Sequence, residues 1–168
     1  SNLVADIIQL SRLDEKSSDM PFETVDLYEM AEDVLSNITD AANKKNISLE
    51  LNGSSQIIQG VRHVIYEMFF NIADNAVRYT EKGGHVRIMV GKRREHPFYC
   101  VVDDGIGIPK SEQDRIFERF YRVDKSHSRA TGGTGLGLSI VKHGAAMHHA
   151  TINLESESGE GTRMEIVF

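Results

Sequence analysis

Hydrophobic residues recur along this chain with two different periods, and each period predicts a different kind of element. Apolar positions spaced three or four apart predict helices over residues 3–13, 26–42 and 61–80. The second of these helices has an acidic N-cap, Asp26, with Glu29 three residues later, as in a capping box. Alternating apolar and polar residues predict strands over residues 47–51, 86–90, 98–103, 151–155 and 163–168.

The order of these elements predicts an α+β fold. Helices and strands do not alternate regularly, which disfavours a doubly wound parallel sheet. Gly159-Glu160-Gly161 between the last two strands indicates a hairpin turn. We therefore expect a two-layer α/β sandwich in which a mixed, mostly antiparallel sheet carries helices on one face. Residues 1–20 are expected to be the end of a helix and a linker, and residues 21–168 the main domain.

Composition narrows the classes of protein to which the chain can belong. Its 168 residues are 40% hydrophobic, enough for one domain with a sizeable core. The formal charge of -6 disfavours a general nucleic-acid-binding surface, and no apolar run is long enough to span a bilayer. Cys100 is the only cysteine, which excludes an internal disulfide. The chain begins with Ser and no signal-peptide pattern follows, so we expect a piece of a longer protein.

The predicted helix over residues 61–80 carries one narrow polar arc on an otherwise apolar surface. Asn71 and Asn75 lie in this arc, one turn apart. Asparagine is a mediocre helix former, so a merely solvated face would not favour it twice. Its amide oxygen suits a Mg²⁺ ion that already carries phosphate oxygens and water. Arg78 and Tyr79, one turn beyond, could donate to phosphate. An ordinary polar face is the alternative interpretation.

The sequence Asp-x-Gly-x-Gly occurs at the end of the predicted strand over residues 98–103. Its first residue, Asp103, is placed to accept a hydrogen bond from an amino group such as the exocyclic amine of adenine. Gly105 and Gly107 would let the backbone approach another group closely. The alternative interpretation is an ordinary Asp-Gly turn.

Glycines at positions 133, 135 and 137 lead directly into an apolar helical stretch. Free amides at a helix N-terminus form an anion site, and the spacing differs from that of a Walker A loop or a dinucleotide fingerprint. Residues 110–130, just before, carry six basic and four acidic side chains, so positive charge is concentrated beside the glycines. Such a segment suits a lid over a polyphosphate. The alternatives are a flexible hinge and aromatic residues that hold a loop against the core.

Four motifs occur in order over residues 67–141: Asn-x-x-x-Asn, Asp-x-Gly-x-Gly, Phe-x-x-Phe-Tyr-Arg and Gly-Thr-Gly-Leu-Gly-Leu-Ser. This order closely resembles the N, G1, F and G2 boxes of sensor histidine kinases, whose ATP-binding domain adopts the Bergerat fold. Residues 6–13 are similar to the last turns of the second helix of a dimerisation hairpin, and the closing hairpin contains Gly161-Thr162. The resemblance therefore covers essentially the whole chain. It implies a hairpin remnant with a linker over residues 1–20 and an ATP-binding catalytic domain over residues 21–168.

The resemblance also implies roles for individual residues. Asn75 would coordinate Mg²⁺ with support from Asn71, and Asp103 would bind the adenine of ATP with Thr162 behind it. No residue of this chain is implied to be a catalytic acid, base or nucleophile. The other implied positions of the nucleotide site are Arg78 and Tyr79 near the phosphates, Gly105, Gly107 and Ile108 at the adenine, Tyr121 and Arg122 by the ribose and phosphates, and Gly133, Thr134, Gly135, Leu136, Gly137 and Leu138 around the triphosphate.

The chain departs from the family pattern at two places. Asp104 stands where Asn is more usual, and we expect its extra negative charge near the purine to weaken affinity. His149-Ala150 stands where many relatives have Gly-Gly, which we expect to change only a turn. Glu67 occupies the place where ATP-hydrolysing relatives keep a water-activating carboxylate, and its role here stays open.

A reaction and its partners are further implications of the resemblance. The γ-phosphoryl of ATP would pass to a histidine on the dimerisation hairpin and then to an aspartate of a response regulator. The family's acceptor histidine is followed by an acidic residue, whereas none of the seven histidines here is. We therefore expect a fragment that binds Mg·ATP but cannot phosphorylate itself. It would lie on the cytoplasmic side of a homodimeric, membrane-anchored protein and make no contact with membrane or nucleic acid.

Three other functions stay open at this point. A serine kinase that inactivates an anti-anti-sigma factor has the same fold, but the Phe-x-x-Phe-Tyr-Arg segment and the hairpin-like start argue against it. An ATPase of the gyrase or mismatch-repair kind would use Glu67 in catalysis and continue into a transducer domain. A nucleotide-sensing module without transfer is expected to lack Asn75, Asp103 or the glycines of the fourth motif, and all are present.

Overall fold

A computed structural model of the chain describes residues 3–16, 20–121 and 136–168. Its elements in chain order are α1 (Leu3–Lys16), β1 (Glu23–Asp26), α2 (Leu27–Lys44), β2 (Ser48–Gly53), β3 (Ile57–Gly60), α3 (Arg62–Tyr79), β4 (His85–Arg93), β5 (His96–Asp103), a short 3-10 helix (Lys110–Glu112), α4 (Gly137–Met147), β6 (Thr151–Glu157) and β7 (Gly161–Val167).

The main sheet has five strands in the order β2-β4-β5-β7-β6. Only β2 and β4 pair in parallel, and the other three ladders are antiparallel. The predicted α+β fold with a mixed, mostly antiparallel sheet is therefore confirmed. β1 and β3 form a separate two-stranded sheet. The apolar pattern does not predict this pair, because each strand has four residues of which only one is buried, Val25 in β1 and Gly60 in β3.

The core lies between the main sheet and the helices. The apolar stripe of α2 is buried as its period predicts, at Leu27, Met30, Ala31, Val34, Ile38 and Ala42. Alternate sheet residues are buried with it, including Val86, Ile88, Val90, Tyr99, Val101, Met164 and Ile166. At the centre, the Tyr99 ring stacks on Phe69 of α3, and its hydroxyl donates to the Phe69 carbonyl oxygen at 2.8 Å. Each such buried apolar side chain contributes roughly 1.5–3 kcal/mol, so α3 is fixed firmly on the sheet.

The predicted N-cap of α2 is present. Asp26 Oδ1 accepts a hydrogen bond from the Tyr28 backbone N–H at 2.9 Å, and Oδ2 accepts one from the Ser55 hydroxyl at 2.6 Å. The cap therefore fixes the start of the helix and also the loop before β3. A cap of this kind is typically worth about 1 kcal/mol.

The N-terminal helix α1 packs against α4. Its Asp6 is buried, whereas Leu3, Val4, Ile7 and Ile8 are between 44% and 66% exposed. The helix predicted over residues 3–13 is thus observed, three residues longer, with an apolar stripe that the described residues do not cover. Among the described helices, none is both long enough and apolar enough to cross a membrane. The division of the chain at residue 20 stays a prediction.

His148, directly after α4, connects α4 to the start of α3. Its Nε2 accepts a hydrogen bond from the Val61 backbone N–H at 3.0 Å, and its Nδ1 lies 2.8 Å from the Gly144 carbonyl oxygen. Because a carbonyl oxygen can only accept, Nδ1 carries the proton and the ring is neutral. Val61 is the N-cap residue of α3 and makes no side-chain cap of its own. The imidazole therefore satisfies an amide at the beginning of the helix that carries Asn71 and Asn75.

The His148 contact is expected to make the stability of the protein depend on pH. Burial lowers the pKa of His148 below its ordinary value of 6.5, against the opposing effect of the hydrogen bond to Gly144. The folded protein therefore binds this proton less tightly than the unfolded chain. The contribution of His148 is present above about pH 6.5 and is lost as the pH falls below that value. Urea unfolding at pH 8, 7, 6 and 5 measures the loss.

A His148→Phe variant isolates this effect. It leaves the Val61 amide unpaired, so we expect a free energy of unfolding lower by about 1–2 kcal/mol at pH 8. It should also show a smaller loss of stability between pH 7 and 5 than the wild type. The control is His63→Gln at an exposed position on α3, which should follow the wild type. Equal pH slopes for His148→Phe and the wild type would contradict the assignment.

Candidate functional site

α3 contacts the N-terminus of α4 through Asn71. Asn71 is buried, and its Nδ2 donates to the Glu67 carbonyl oxygen at 2.7 Å. Its Oδ1 faces Gly137, where an added Cβ would lie 2.8 Å from that oxygen. Leu136, the N-cap residue of α4, makes no side-chain capping hydrogen bond. Gly137 is thus needed for close packing of α4 on α3.

α3 contacts the loop after β5 through Tyr79. We call residues 104–109 the G1 loop. The Tyr79 carbonyl oxygen accepts a hydrogen bond from the Ile106 N–H at 3.0 Å. An added Cβ on Gly105 would lie only 2.3 Å from the same oxygen. The last turn of α3 and the G1 loop therefore meet backbone to backbone.

Asn75 lies between these two contacts on α3. It follows Asn71 by four residues and precedes Tyr79 by four, so the three residues share one face of the helix. Asn75 is half-buried, and its side chain makes no hydrogen bond with the described residues. Its amide oxygen is thus available to a ligand between the G1 loop and α4. A neutral oxygen donor in this position fits Mg²⁺ held together with phosphate oxygens.

Arg78, on the following turn, is paired within α3. Its Nε donates to Asp74 Oδ2 at 2.7 Å, and both side chains are mostly buried. The pair fixes the direction of the guanidinium. A role of Arg78 at the phosphates stays a prediction.

Asp103 ends β5 and lies opposite Thr162 of β7 in the antiparallel ladder. Its Oδ1 accepts a hydrogen bond from the Gly105 N–H at 2.9 Å. Burial raises the pKa of Asp103 to about 6, against the hydrogen bonds from the Gly105 and Thr162 backbone, and the charge of Asp104 adds a smaller increase. Above that pH the site presents a partly desolvated carboxylate. Such a group binds a hydrogen-bond donor more strongly than a solvated carboxylate does.

The glycines of the G1 loop and of the last hairpin allow protein backbones to pack together. Gly107 has φ of +71°, and an added Cβ would lie 1.9 Å from the Glu157 carbonyl oxygen. Gly161 has φ of +103°, and its added Cβ would lie 2.1 Å from the Asp103 carbonyl oxygen. The close approach expected from the sequence is therefore present. The partner is the β6–β7 hairpin, which the sequence did not identify.

Both departures from the family pattern lie on the surface. Asp104 Oδ1 accepts a hydrogen bond from the His85 N–H, and Oδ2 pairs with His85 Nδ1, each at 2.8 Å. The carboxylate is thus held against the start of β4, and its charge is the weakest of the four influences on the pKa of Asp103. His149 takes up φ of +53° in the turn before β6. Glycine adopts this left-handed conformation most readily, and histidine tolerates it at a small cost.

Part of the predicted nucleotide site falls outside the described residues, namely Arg122, Gly133, Thr134 and Gly135. Tyr121 is described and half-buried, with the Arg115 guanidinium 4.3 Å from its ring centre. Leu136 is buried, and Leu138 and Ile108 pack against the core. Gly137 supplies the described contact between the glycine motif and α3.

Glu67 lies near a second carboxylate. It is half-buried, and burial raises its pKa above the ordinary value, with a further increase from the charge of Asp6 in α1. The N-terminal helix therefore influences a group one turn before Asn71. The geometry does not assign Glu67 a role in chemistry.

Sequence reasoning missed two polar residues that support the site. Lys45 Nζ donates to the Val77 and Arg78 carbonyl oxygens at 2.9 and 3.0 Å and so caps the C-terminus of α3. Ser156 of β6 accepts a hydrogen bond from the Ile108 N–H of the G1 loop at 2.8 Å. Both contacts join residues far apart in the sequence, and no local motif signals them.

The sequence of this chain is similar to that of a known protein family and of several kinases. Residues 60–168 match the family described as histidine kinase-, DNA gyrase B-, and HSP90-like ATPase. The sensor-like histidine kinase SenX3 of Mycolicibacterium smegmatis is 38% identical over 163 residues, which are 96% of this chain and 42% of the relative. The sensor protein kinase PmrB of Pseudomonas aeruginosa is 37% identical over 167 residues, 99% of this chain and 35% of the relative. The chain thus spans about two fifths of the length of these relatives.

Two solved structures are similar as well. The mycobacterial sensor histidine kinase MprB matches with a TM-score of 0.76 and 26% identity, over 88% of this chain and 96% of that one. Full-length ShkA in complex with AMPPNP matches with a TM-score of 0.83 and 26% identity, over 98% of this chain and 34% of that one. The fold of the described residues is therefore that of histidine kinase catalytic domains.

Proposed function

The chain belongs to the family of histidine kinase-, DNA gyrase B-, and HSP90-like ATPases as an ATP-binding catalytic domain of the sensor kinase type, and we propose that it transfers the γ-phosphoryl of ATP to a histidine on a dimerisation hairpin. One observation carries the proposal. A single face of α3 contacts the G1 loop at Tyr79 and the N-terminus of α4 at Asn71, and between them lies the amide of Asn75, which has no hydrogen-bond partner in the described part of the chain.

Binding of ATP follows from the chemistry of the two sides of this face. The desolvated carboxylate of Asp103 accepts a hydrogen bond from the adenine amine, which guanine lacks at that position. The N-terminus of α4 attracts the phosphates, because its first amides carry partial positive charge. The resemblance adds Arg122 and the glycines at 133 and 135 to the phosphate side.

Asn75 would hold the Mg²⁺ ion that accompanies ATP, supported by Asn71. The ion would neutralise charge on the phosphate oxygens. Phosphoryl transfer requires mainly positioning and charge stabilisation from the protein. The residues of this chain therefore act by orienting the nucleotide and excluding water, and we assign none of them as the group that accepts the phosphoryl.

The partners proposed are a hairpin that carries the phosphoacceptor histidine, a response regulator that receives the phosphoryl next, and a second subunit in the full-length protein. The exposed apolar residues of α1 support the first of these, because an uncovered stripe on a helix is the kind of surface that packs against another helix. The similarity to sensor histidine kinases supports a role in a two-component system. We propose that the chain lies on the cytoplasmic side of a membrane-anchored protein.

The deciding experiment adds the phosphoacceptor hairpin in trans, together with Mg²⁺ and γ-labelled ATP. Acid-labile label on the hairpin histidine is the expected result, and a hairpin with His→Gln at the acceptor is the control. Label on serine would favour the anti-sigma-factor type of kinase. Release of phosphate without labelled protein would favour an ATPase of the gyrase or mismatch-repair kind.

A further inference from the structure

The G1 loop is attached to the β6–β7 hairpin as well as to α3. The Gly159 N–H donates to the Ile106 carbonyl oxygen at 2.6 Å, and Gly107 lies directly against the Glu157 carbonyl group. Both polar backbone groups of Ile108 are hydrogen-bonded. Its N–H donates to Ser156 Oγ, and its carbonyl oxygen accepts from Gln113 Nε2 at 2.9 Å. The hairpin therefore forms one wall of the region predicted to bind adenine.

The Ser156 hydroxyl is the centre of this attachment. It accepts from the Ile108 N–H, donates to the Gly161 carbonyl oxygen at 2.8 Å, and lies 2.9 Å from Thr162 Oγ1. A hydroxyl has only one proton to donate. Because that proton goes to Gly161, the proton between the two hydroxyls must come from Thr162. Once its proton is donated to Ser156, the Thr162 hydroxyl can only accept from any further group. Asp103 is the partner of Thr162 in the ladder.

Gln113 strengthens the same connection. Its Nε2 donates to the carbonyl oxygens of both Ile108 and Ser156, each at 2.9 Å. The backbone of the G1 loop and that of β6 are thus bridged twice, once by a hydroxyl and once by an amide. These contacts include Thr162, the ladder partner of Asp103, and none of them involves Asn75 or Gly137.

We propose that Ser156 is a positioning residue for the adenine of ATP, which fixes the G1 loop at Ile108 and orients the hydroxyl of Thr162 behind Asp103. The inference rests on the proposed function, because it requires that Asp103 binds adenine. It adds a residue that acts on recognition of the base and leaves the phosphate side of the site unchanged.

The test measures binding of ATP and of inorganic tripolyphosphate, a probe without a base, to the folded chain by calorimetry with Mg²⁺. Ser156→Ala should weaken ATP binding about tenfold, because a lost hydrogen bond of about 1.4 kcal/mol corresponds to that factor. Tripolyphosphate binding should stay unchanged. Ser156→Thr keeps the hydroxyl and should restore most of the ATP affinity.

The matched control is Ser158→Ala in the same hairpin, at an exposed serine whose side chain makes no hydrogen bond with the described residues. It should bind ATP as the wild type does. If Ser156→Ala fails to fold, Gln113→Ala tests the same connection and should give a smaller loss, again for ATP alone. Unchanged ATP binding, or equal weakening of both ligands, would overturn the inference alone. A wild-type chain that does not bind ATP would overturn the proposed function instead.

Discussion

An Asp103→Asn variant is expected to bind ATP at least about 100-fold more weakly than the wild type and yet to be more stable without nucleotide. The loss of binding follows because an amide can present an N–H where the adenine amine already donates, and a buried donor left unpaired costs about 1–3 kcal/mol beyond the lost bond. Mg·ATP should raise the melting temperature of the wild type but not of the variant, and GTP should shift neither.

The gain in stability follows from the same burial. Burial raises the pKa of Asp103 to about 6, so the folded protein binds this proton more tightly than the unfolded chain. The carboxyl group therefore stabilises the fold at low pH, and that contribution is lost as the pH rises through about 6. The neutral amide avoids this cost, so the free energy of unfolding at pH 8 should rise by about 1–2 kcal/mol after allowance for solvent screening. Urea unfolding at pH 8 and pH 4 should show the gain only at pH 8.

Asp104→Asn is the matched control for this prediction. It removes a neighbouring carboxylate that is exposed and paired with His85. ATP binding should equal that of the wild type or be slightly stronger, because a negative charge near the purine is removed, and Mg·ATP should still raise the melting temperature. If Asp103→Asn binds ATP normally, or if the two variants behave alike, the adenine assignment is wrong.

A Gly107→Ala variant is expected to lose about 2–5 kcal/mol of stability and most of its ATP binding. The position has φ of +71°, which costs an alanine about 1–2 kcal/mol. The added Cβ would also lie 1.9 Å from the Glu157 carbonyl oxygen, so the G1 loop must separate from the β6–β7 hairpin. Overpacking of this kind typically costs a further 1–3 kcal/mol. Urea unfolding and calorimetric titration with Mg·ATP measure the two losses.

Gly159→Ala separates the cost of the backbone conformation from that of the contact with Glu157. Gly159 lies in the β6–β7 hairpin with φ of +84°, and an added Cβ there would have no atom within 4 Å. It should show the backbone cost alone, about 1–2 kcal/mol, and nearly normal ATP binding. Equal losses in the two variants would mean that conformation matters at Gly107 and the contact with Glu157 does not.

Local pattern predicted the parts of this fold that depend on neighbours in the sequence. The period of apolar residues identified α2 and α3 because their buried stripes repeat over five turns, and the acidic N-cap identified where α2 begins. The same helical spacing placed Asn71 and Asn75 on one face. β1 and β3 were not predicted because four residues of which only one is buried leave no period to detect.

The residues that hold the site together could not be predicted in this way. Lys45 caps a helix that begins seventeen positions later, Ser156 meets Ile108, and His148 meets Val61. Each contact depends on how the elements pack, and a lone Lys, Ser or His carries no signal of it. Gly107 was predicted only in part. The Asp-x-Gly-x-Gly motif predicted that its backbone packs closely against another group, but not that this group belongs to the β6–β7 hairpin.

The parallel ladder has a consequence for how the domain folds. The hairpins β4–β5 and β6–β7 join strands that follow one another in the chain, whereas β2 pairs with β4 only after β3 and α3 have crossed between them. Closing such a connection loses more chain entropy before any ladder bond is gained than closing a hairpin does, so β2 is expected to pair with β4 later than either hairpin forms. The helix that bears Asn75 lies within this connection. The adenine side needs a second closure of this kind, because Asp103 of β5 meets Thr162 of β7 across a still longer connection that includes α4 and β6. A newly made chain is therefore expected to bind nucleotide only after both loop closures, however fast the local hairpins form.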